Sequence, residues 1–544
     1  MTTGRRRTVH SDRNRTSSET NERSDEPTRR RLLAIAGATG LGAFAGCSTS
    51  VGTGSKSTLR IGTLRPPVTL DPISARALGS EQAIERVFDG LYAYGEGTDV
   101  VPKLAAGEPT FEDGERTFVV ELDDDARFQN DRPVTAGDVV YSFTAPLEED
   151  APTAWRVNPF DSVEAVGERT VRFTLAAPFP GLDHALTHSI VPRDVREDDR
   201  AAFATEPVGS GPFEVASFSE ETKVELRRWS DYWGNPKPAI EALTMAYVEF
   251  PMTQLTSLRT DRNDAIEPVS PLTVDHVSEV GNASVRRRRG YTSLYFGFNL
   301  NQGPTTDRRI RDAIGYCIDL DEAVADFVEP MGRRQYGPLP PQVARAWNMP
   351  VDEWAALAPP KDIDRARRLF DEVGKATGQI RVLTSMDPKH KEFGEALAGG
   401  LRDAGRGALV VSKPESVFLE KSVTGSERDY SVFVGEIAGT PDPDSHLYPT
   451  FHENMAGVTN GTFYRADAVM ERLAAARTTR DREKRRKRYE TAITRLLEDR
   501  VCLPICSFEN SFAVAEDVRN FRVHPIAREN PRVAAGEDVV TVGS

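Results

Sequence analysis

Apolar and polar residues alternate along some short runs of this chain and recur at helical spacing along others. Thr58-Leu59-Arg60-Ile61-Gly62-Thr63-Leu64 alternates and predicts a strand. Residues 80–91 carry apolar side chains at helical spacing, with Gly90 near the end, and predict a helix. Further strands are expected at 116–122, 170–175 and 223–228. Between the first two of these, Thr135 and Asp138 form a capping box ahead of an apolar helical run. After Gly290, residues 291–300 read as an aromatic strand, and the texture then becomes more helical. Helices are expected from Thr306, from Asp319 with Glu322 as a second capping box, over 362–374, and as one or two long helices across 465–497. Short strands are expected at 381–385, 430–434, 501–505 and 512–514. Helices alternating with short strands indicate an α/β lobe in this half. The chain shows no internal repeat.

The N-terminus follows a different rule. Residues 1–27 have no apolar periodicity and are rich in Arg, Ser, Thr, Asp and Glu, a composition that cannot bury enough surface to fold. Thr28-Arg29-Arg30-Arg31 then leads into an uncharged run, 32–46. A bilayer-spanning helix needs about 20 apolar residues, so this run is short. Its four glycines each weaken a helix by about 1 kcal/mol relative to alanine. A charged start, a modest apolar centre and small residues before a cleavage point make an export signal; the alternative is an uncleaved signal anchor. Arg29 and Arg30 resemble the twin-arginine signal, which exports folded proteins. Phe44-Ala45-Gly46-Cys47 resembles a lipobox, with Phe44 where leucine is usual, and Cys47 is the expected lipidation site. Residues 1–46 are thus expected to be signal, and 47–57, rich in Ser, Gly and Thr, a flexible tether.

What remains is about 500 residues, enough for two to four domains, with no further stretch of transmembrane length. It carries 60 basic against 78 acidic residues, a surface that repels nucleic acid. Only 12 of the 69 basic residues in the whole chain are lysine. Acidic surface with scarce lysine resembles halophilic archaeal proteins, although a GC-rich genome would also favour arginine. Cys502 and Cys506 lie four apart in an apolar strand-like run, which places their sulfurs about 13 Å apart. A disulfide needs Cα atoms within about 7 Å, so both, like Cys317, read as small buried hydrophobes.

No catalytic constellation emerges. Gly209-Ser210-Gly211-Pro212-Phe213 lacks both the spacing of a nucleophile elbow and the ending of a phosphate loop, and reads as a tight connection. Asp138 reads as a helix cap, and Asp231-Tyr232-Trp233-Gly234 as a packed turn. His184 with His188, and His446 with His452, have no third ligand nearby in sequence, so no metal site is expected. The arginine runs 286–289 and 480–488 read as solvated faces. Asn282-Ala283-Ser284 and Asn460-Gly461-Thr462 fit the glycosylation pattern only weakly.

Several segments, in order, resemble one family. They are Leu70-Asp71-Pro72, Val87-Phe88-Asp89-Gly90-Leu91, Val101-Pro102-Lys103-Leu104-Ala105, residues 112–118, residues 126–142, residues 207–213, residues 231–234, residues 308–314 and Pro441-Asp442-Pro443-Asp444. The family is that of the extracellular solute-binding proteins, family 5, serving oligopeptide, dipeptide and nickel ABC importers. The resemblance implies an α/β type II periplasmic-binding-protein fold, two lobes with a hinge plus an extra inserted α/β domain. It places a discontinuous first domain at 58–95, 207–297 and 507–544, an inserted second domain at 96–206, and a third domain at 298–506. It implies a monomeric, non-enzymatic receptor without cofactor or metal, tethered to the outer face of the cell membrane, which hands solute to permease subunits by closing its cleft. Alternatives are a binding module feeding a sensor, or an extracellular hydrolase. In the peptide-binding branch an aspartate upstream of Pro-Asp-Pro-Asp pairs with the ligand amine, and Gly439 stands there in this chain. That departure points to a neutral or anionic solute, unless Glu436 supplies the charge from a different place. Glu436, Thr440 and Asp442 are the expected cleft residues.

Overall fold

The computed structural model describes residues 57–113, 116–374, 378–533 and 539–543. Arg29, Arg30, Cys47 and nearly all of the expected tether lie outside the described residues. An 11-stranded mixed sheet runs through the molecule. One half is built from Phe213–Ser219, Lys223–Arg228, Ala242–Tyr247, Thr58–Thr63 and Ala265–Glu267. The other half is built from Val432–Ala438, Ile380–Ser385 and Ala408–Lys413, the last two running parallel. Two long strands join the halves, Ala283–Phe298 and Cys502–Ala515, paired antiparallel. The first pairs with Val432–Ala438 of the second half and the other with Ala265–Glu267 of the first half, so together they connect the two lobes.

These two strands are longer than the sequence pattern indicates. The expected strands at 501–505 and 512–514 are parts of one, and the arginines at 286–289 continue the strand expected at 291–300. Polar residues interrupt the apolar pattern where the strands leave one core and enter the next. Asn510, for example, is buried and donates through Nδ2 to the carbonyls of His524 and Pro525. Arg286 donates to the Phe521 carbonyl at 2.5 Å, so it is not simply a solvated charge.

Four apolar cores match this layout. One lies beneath the first half of the sheet and includes Leu59, Ile61, Leu243 and Phe512. Two flank the second half, one holding Trp354, Phe433, Phe451 and Tyr489, the other Phe296, Ile310, Phe393 and Leu397. The fourth fills a separate four-stranded antiparallel sheet, ordered Thr110–Asp113, Thr117–Glu121, Thr170–Leu175, Phe160–Ala165, with Phe118 stacked on Phe173 at 5.1 Å. Strand alternation carries it: in Thr170–Leu175, Val171, Phe173 and Leu175 face inward.

Local chemistry sets most boundaries. The Thr135–Asp138 capping box starts the helix Ala136–Glu148. Asp319 caps Leu320–Phe327, accepting from the N–H groups of Asp321 and Glu322. The region 465–497 forms two helices, Asp467–Arg477 and Arg482–Glu498, because Asp481 caps the second. The helix expected at 80–91 is Leu78–Val87 instead, since Phe88 turns extended and Gly90 packs against the Thr187 carbonyl, 2.8 Å from where a Cβ would stand. Gly209 and Gly211 press on Val87 so closely that a Cβ at Gly209 would sit 1.9 Å from its carbonyl oxygen, which explains the Gly-Ser-Gly connection. Cys317, Cys502 and Cys506 are free and buried. No helix among the described residues is long and apolar enough to cross a membrane.

Candidate functional site

A cavity of about 310 Å³ lies between the two lobes. The first lobe contributes Arg65, Arg76, Tyr247 and Glu249, and the short helix Ala154–Val157 adds Trp155 and Arg156. The second lobe contributes Asp387, His390, Glu415, Phe418, Phe433 and Glu436. Aromatic faces with a few convergent charges are the usual lining of a small-molecule site.

Secondary structure positions each charge. Arg65 follows the strand Thr58–Thr63, and its N–H donates to Thr63 Oγ1 at 3.0 Å. Arg76 leaves a turn held by Asp71, which accepts from the Ile73 N–H and pairs through both oxygens with the buried Arg196. Glu436 sits near the end of Val432–Ala438, opposite Leu294, on the open face of an otherwise mostly buried strand. His390 lies in the first turn of Pro388–Asp403, which Asp387 caps by accepting from the Lys389 and His390 N–H groups. Glu415 is the first residue of Glu415–Lys421.

The charges form one connected field. Arg65 Nη1 donates to Glu436 Oε1 across the cleft at 3.2 Å, and His390 Nε2 stands 3.8 Å from Glu436 Oε2. His390 Nδ1 bonds Ser385 Oγ at 2.9 Å. Burial works against the Glu436 carboxylate, but Arg65 and His390 outweigh it and hold Glu436 below the usual carboxylate range. Burial also opposes the charge on His390, yet Glu436, Asp387 and Glu415 raise it above the usual imidazole range. Glu415 is pushed up to about 7, first by burial and then by the like charges of Glu436 and Asp387, against the relief given by His390. Burial depresses Arg76, whose Nη1 and Nη2 donate to the carbonyls of Leu419 and Thr459 in the second lobe at 2.9 and 3.4 Å.

Other contacts tie the lobes together at the rim. The Ser416 N–H donates to Glu221 Oε1 at 2.7 Å, and Lys391 lies 3.6 Å from Glu249. Asn158 donates to the Tyr448 hydroxyl at 3.4 Å, and Arg477 to the Trp155 carbonyl. The lobes are therefore in contact around the cavity, in a closed arrangement.

Of the residues expected in the cleft, Glu436 lines the cavity, with its side chain 25% exposed. Thr440 and Asp442 do not line it. Thr440 is buried, and its Oγ1 lies 3.1 Å from Ser445 Oγ and accepts from the Asp442 N–H. Asp442 makes a two-pronged ion pair with Arg485, at 2.5 and 2.8 Å. The Pro-Asp-Pro-Asp motif thus serves as the start of the helix Asp444–Phe451 and as an anchor for Arg482–Glu498. Gly439 faces the ring of His446, 2.3 Å from where a Cβ would stand, so this position has no room for an acidic side chain as packed.

The histidine pairs have separate lives. His184 Nδ1 bonds the Tyr94 hydroxyl, while His188 Nε2 bonds the Ser142 carbonyl. His446 Nε2 bonds the Thr440 carbonyl, and His452 Nδ1 accepts from the Asn454 N–H. Among the described residues, no group of three His, Cys, Asp or Glu is arranged to hold a metal ion. Trp233 Nε1 donates to the Ser210 carbonyl, closing the Asp-Tyr-Trp-Gly turn onto the Gly-Ser-Gly connection.

Comparison with known proteins agrees with this architecture. Residues 99–457 match the bacterial extracellular solute-binding proteins, family 5. The chain is 29% identical over 509 residues to Protein XP55 of Streptomyces lividans, covering 87% of this chain and 88% of that protein. It is 23% identical over 471 residues to the glutathione-binding protein GsiB of Shigella flexneri, covering 84% and 90%. The periplasmic binding protein DppA of Helicobacter pylori, solved with the peptide STSA, superposes with a TM-score of 0.79 at 19% identity, covering 90% of this chain and 99% of that one. The shared fold is the two-lobed type II fold of periplasmic binding proteins. With residues 99–457 matching along a chain whose two lobes enclose a cavity, the protein belongs to family 5 of the extracellular solute-binding proteins.

Proposed function

We propose that this chain is the receptor of an ABC importer and captures a peptide-like or other small solute between its lobes. The observation that carries the reading is the interlobe cavity, whose charged lining comes from both lobes at once. A solute touching both walls binds the closed form better than the open one, and shifts the population toward it by that difference in affinity. The permease then reads the closed form. Two of the proteins compared above are described with glutathione and with a peptide, which supports a peptide-like solute. Arg29 and Arg30 direct export of the folded chain, and Cys47 carries the lipid that keeps the monomeric receptor at the outer face of the membrane. No group transfer enters this cycle.

The test is small-angle scattering and thermal unfolding of the full chain against short peptides, sugars and nickel chelates. The reading predicts compaction and a raised melting temperature with one class of solute. Unchanged scattering with all of them contradicts it. Loss of membrane association in Cys47→Ala checks the anchor.

A further inference from the structure

Three carboxylates of the second lobe converge on the cavity, and they are not equivalent. Glu436 is engaged by Arg65 and His390. Asp387 is engaged by the N–H groups of the helix it caps. Glu415 lines the same wall, half-buried, and makes no hydrogen bond or ion pair among the described residues. The groups around it come from both lobes: Asp387 and His390 at the start of Pro388–Asp403, Glu436 on Val432–Ala438, Arg76 ahead of Leu78–Val87, Tyr247 on Ala242–Tyr247, and Glu221, which accepts from the adjacent Ser416 N–H. The one nearby guanidinium, Arg76, has both Nη atoms committed to carbonyls. The imidazole on this wall, His390, is only 5% exposed and turns its Nε2 toward Glu436 at 3.8 Å, so it is not a hydrogen-bond partner of Glu415.

Resting on the receptor reading above, we propose that Glu415 selects a cationic end on the solute, and that the solute binds there in exchange for a proton. The protonated carboxyl of Glu415 gives its proton to solvent, and an ammonium or guanidinium of the solute takes its place against the carboxylate. Arg65, brought in by the opposite lobe, neutralises Glu436 and so leaves Glu415 as the acid that recognises the solute. The like charges around Glu415 and its burial keep it protonated to about pH 7 while the site holds no solute. Affinity for a cationic solute therefore rises with pH through that range and falls on acidification.

The first test needs no solute. Potentiometric titration of the full chain and of Glu415→Gln, subtracted, isolates the ionisation that this residue controls. The inference predicts a midpoint near 7; a midpoint near the ordinary 4.5 overturns it. The second uses tetra-alanine and N-acetyl tetra-alanine in calorimetry at about pH 7, in two buffers of different ionisation enthalpy. The free-amine peptide is expected to bind at least about tenfold more tightly and to release a fraction of a proton, and Glu415→Gln should erase both differences while Glu415→Asp restores part of them. Equal binding of the two peptides by the wild type overturns the inference. Because the titration needs no solute, it fails independently of the receptor reading, which falls only if no solute brings the lobes together.

Discussion

On the first-lobe wall of the cavity the charges are satisfied, mostly by groups of the second lobe. Arg156 pairs with Glu81 at 2.7 Å, Glu221 accepts from the Ser416 N–H, Glu249 faces Lys391, and Arg76 spends its guanidinium on carbonyls. On the second-lobe wall Asp387, Glu415 and Glu436 share one histidine, and need Arg65 from across the cleft. Burying charge in this way is costly unless it is paired. The contrast separates two tasks. The first wall holds the lobes at a fixed spacing, and the second leaves negative charge open to a ligand. An acid-rich wall also disfavours an anionic solute, and Gly439 is no longer the residue on which that question turns.

Four variants sharpen or break this contrast. The largest effect is expected for Asp442→Ala, which strands the buried Arg485 and should cost about 3–5 kcal/mol in chemical unfolding. Glu436→Gln, six residues earlier, should leave stability far less changed and weaken solute binding instead. If both behave alike, the distinction between a structural acid and a cavity acid fails. Gly439→Ala should cost about 1–3 kcal/mol, since its Cβ must displace the His446 ring. Wild-type stability there would mean that the ring moves freely. Arg65→Ala removes the ion pair across the cleft, and an interlobe distance measured by spin labels should show the solute-free population shifting toward open. The shift should be about 1 kcal/mol, as both partners remain partly exposed.

The smallest effect is a dependence on pH. Glu415 is raised in the folded chain, so the folded state holds its proton over a range where the unfolded state has lost it. Stability from this group is present below its unfolded value of 4.5 and is lost as pH rises through about 7. The buried histidines act the other way. His446, His452 and His524 are lowered to about 4 by burial, so they destabilise the fold as pH falls below 6.5. Glu415→Gln should therefore melt above the wild type at about pH 8 and lose that advantage by about pH 4.5. A constant difference across this range would contradict the assignment.

Much of the fold was legible in the sequence because it is local. The Thr135 capping box, the alternation in 170–175 and the tight Gly-Ser-Gly connection each depend on residues within a few positions. The long interlobe strands were less legible, because Asn510 and Arg286 break the apolar pattern at the point where the chain passes between cores. The cavity was least legible. Arg65, Arg76, Asp387, His390 and Glu415 are brought together from loops and helix starts hundreds of positions apart, and nothing in their own neighbourhoods marks them. Glu415 follows Pro414 at the start of Glu415–Lys421, and Asp387 caps Pro388–Asp403, so each has a local role that does not point to a cavity. Asp442 drew attention through its motif, whose conspicuous prolines and carboxylates begin a helix and hold Arg485.

The central claim is that a small solute bearing a cationic group closes the two lobes on each other. It is tested most directly by purifying the full chain natively, denaturing it, identifying the released small molecules by mass spectrometry, and adding them back to refolded receptor in small-angle scattering. The account predicts a single cationic or zwitterionic solute, near one per chain, that compacts the wild type and compacts Glu415→Gln only at much higher concentration. A neutral or anionic solute that compacts both equally would contradict it.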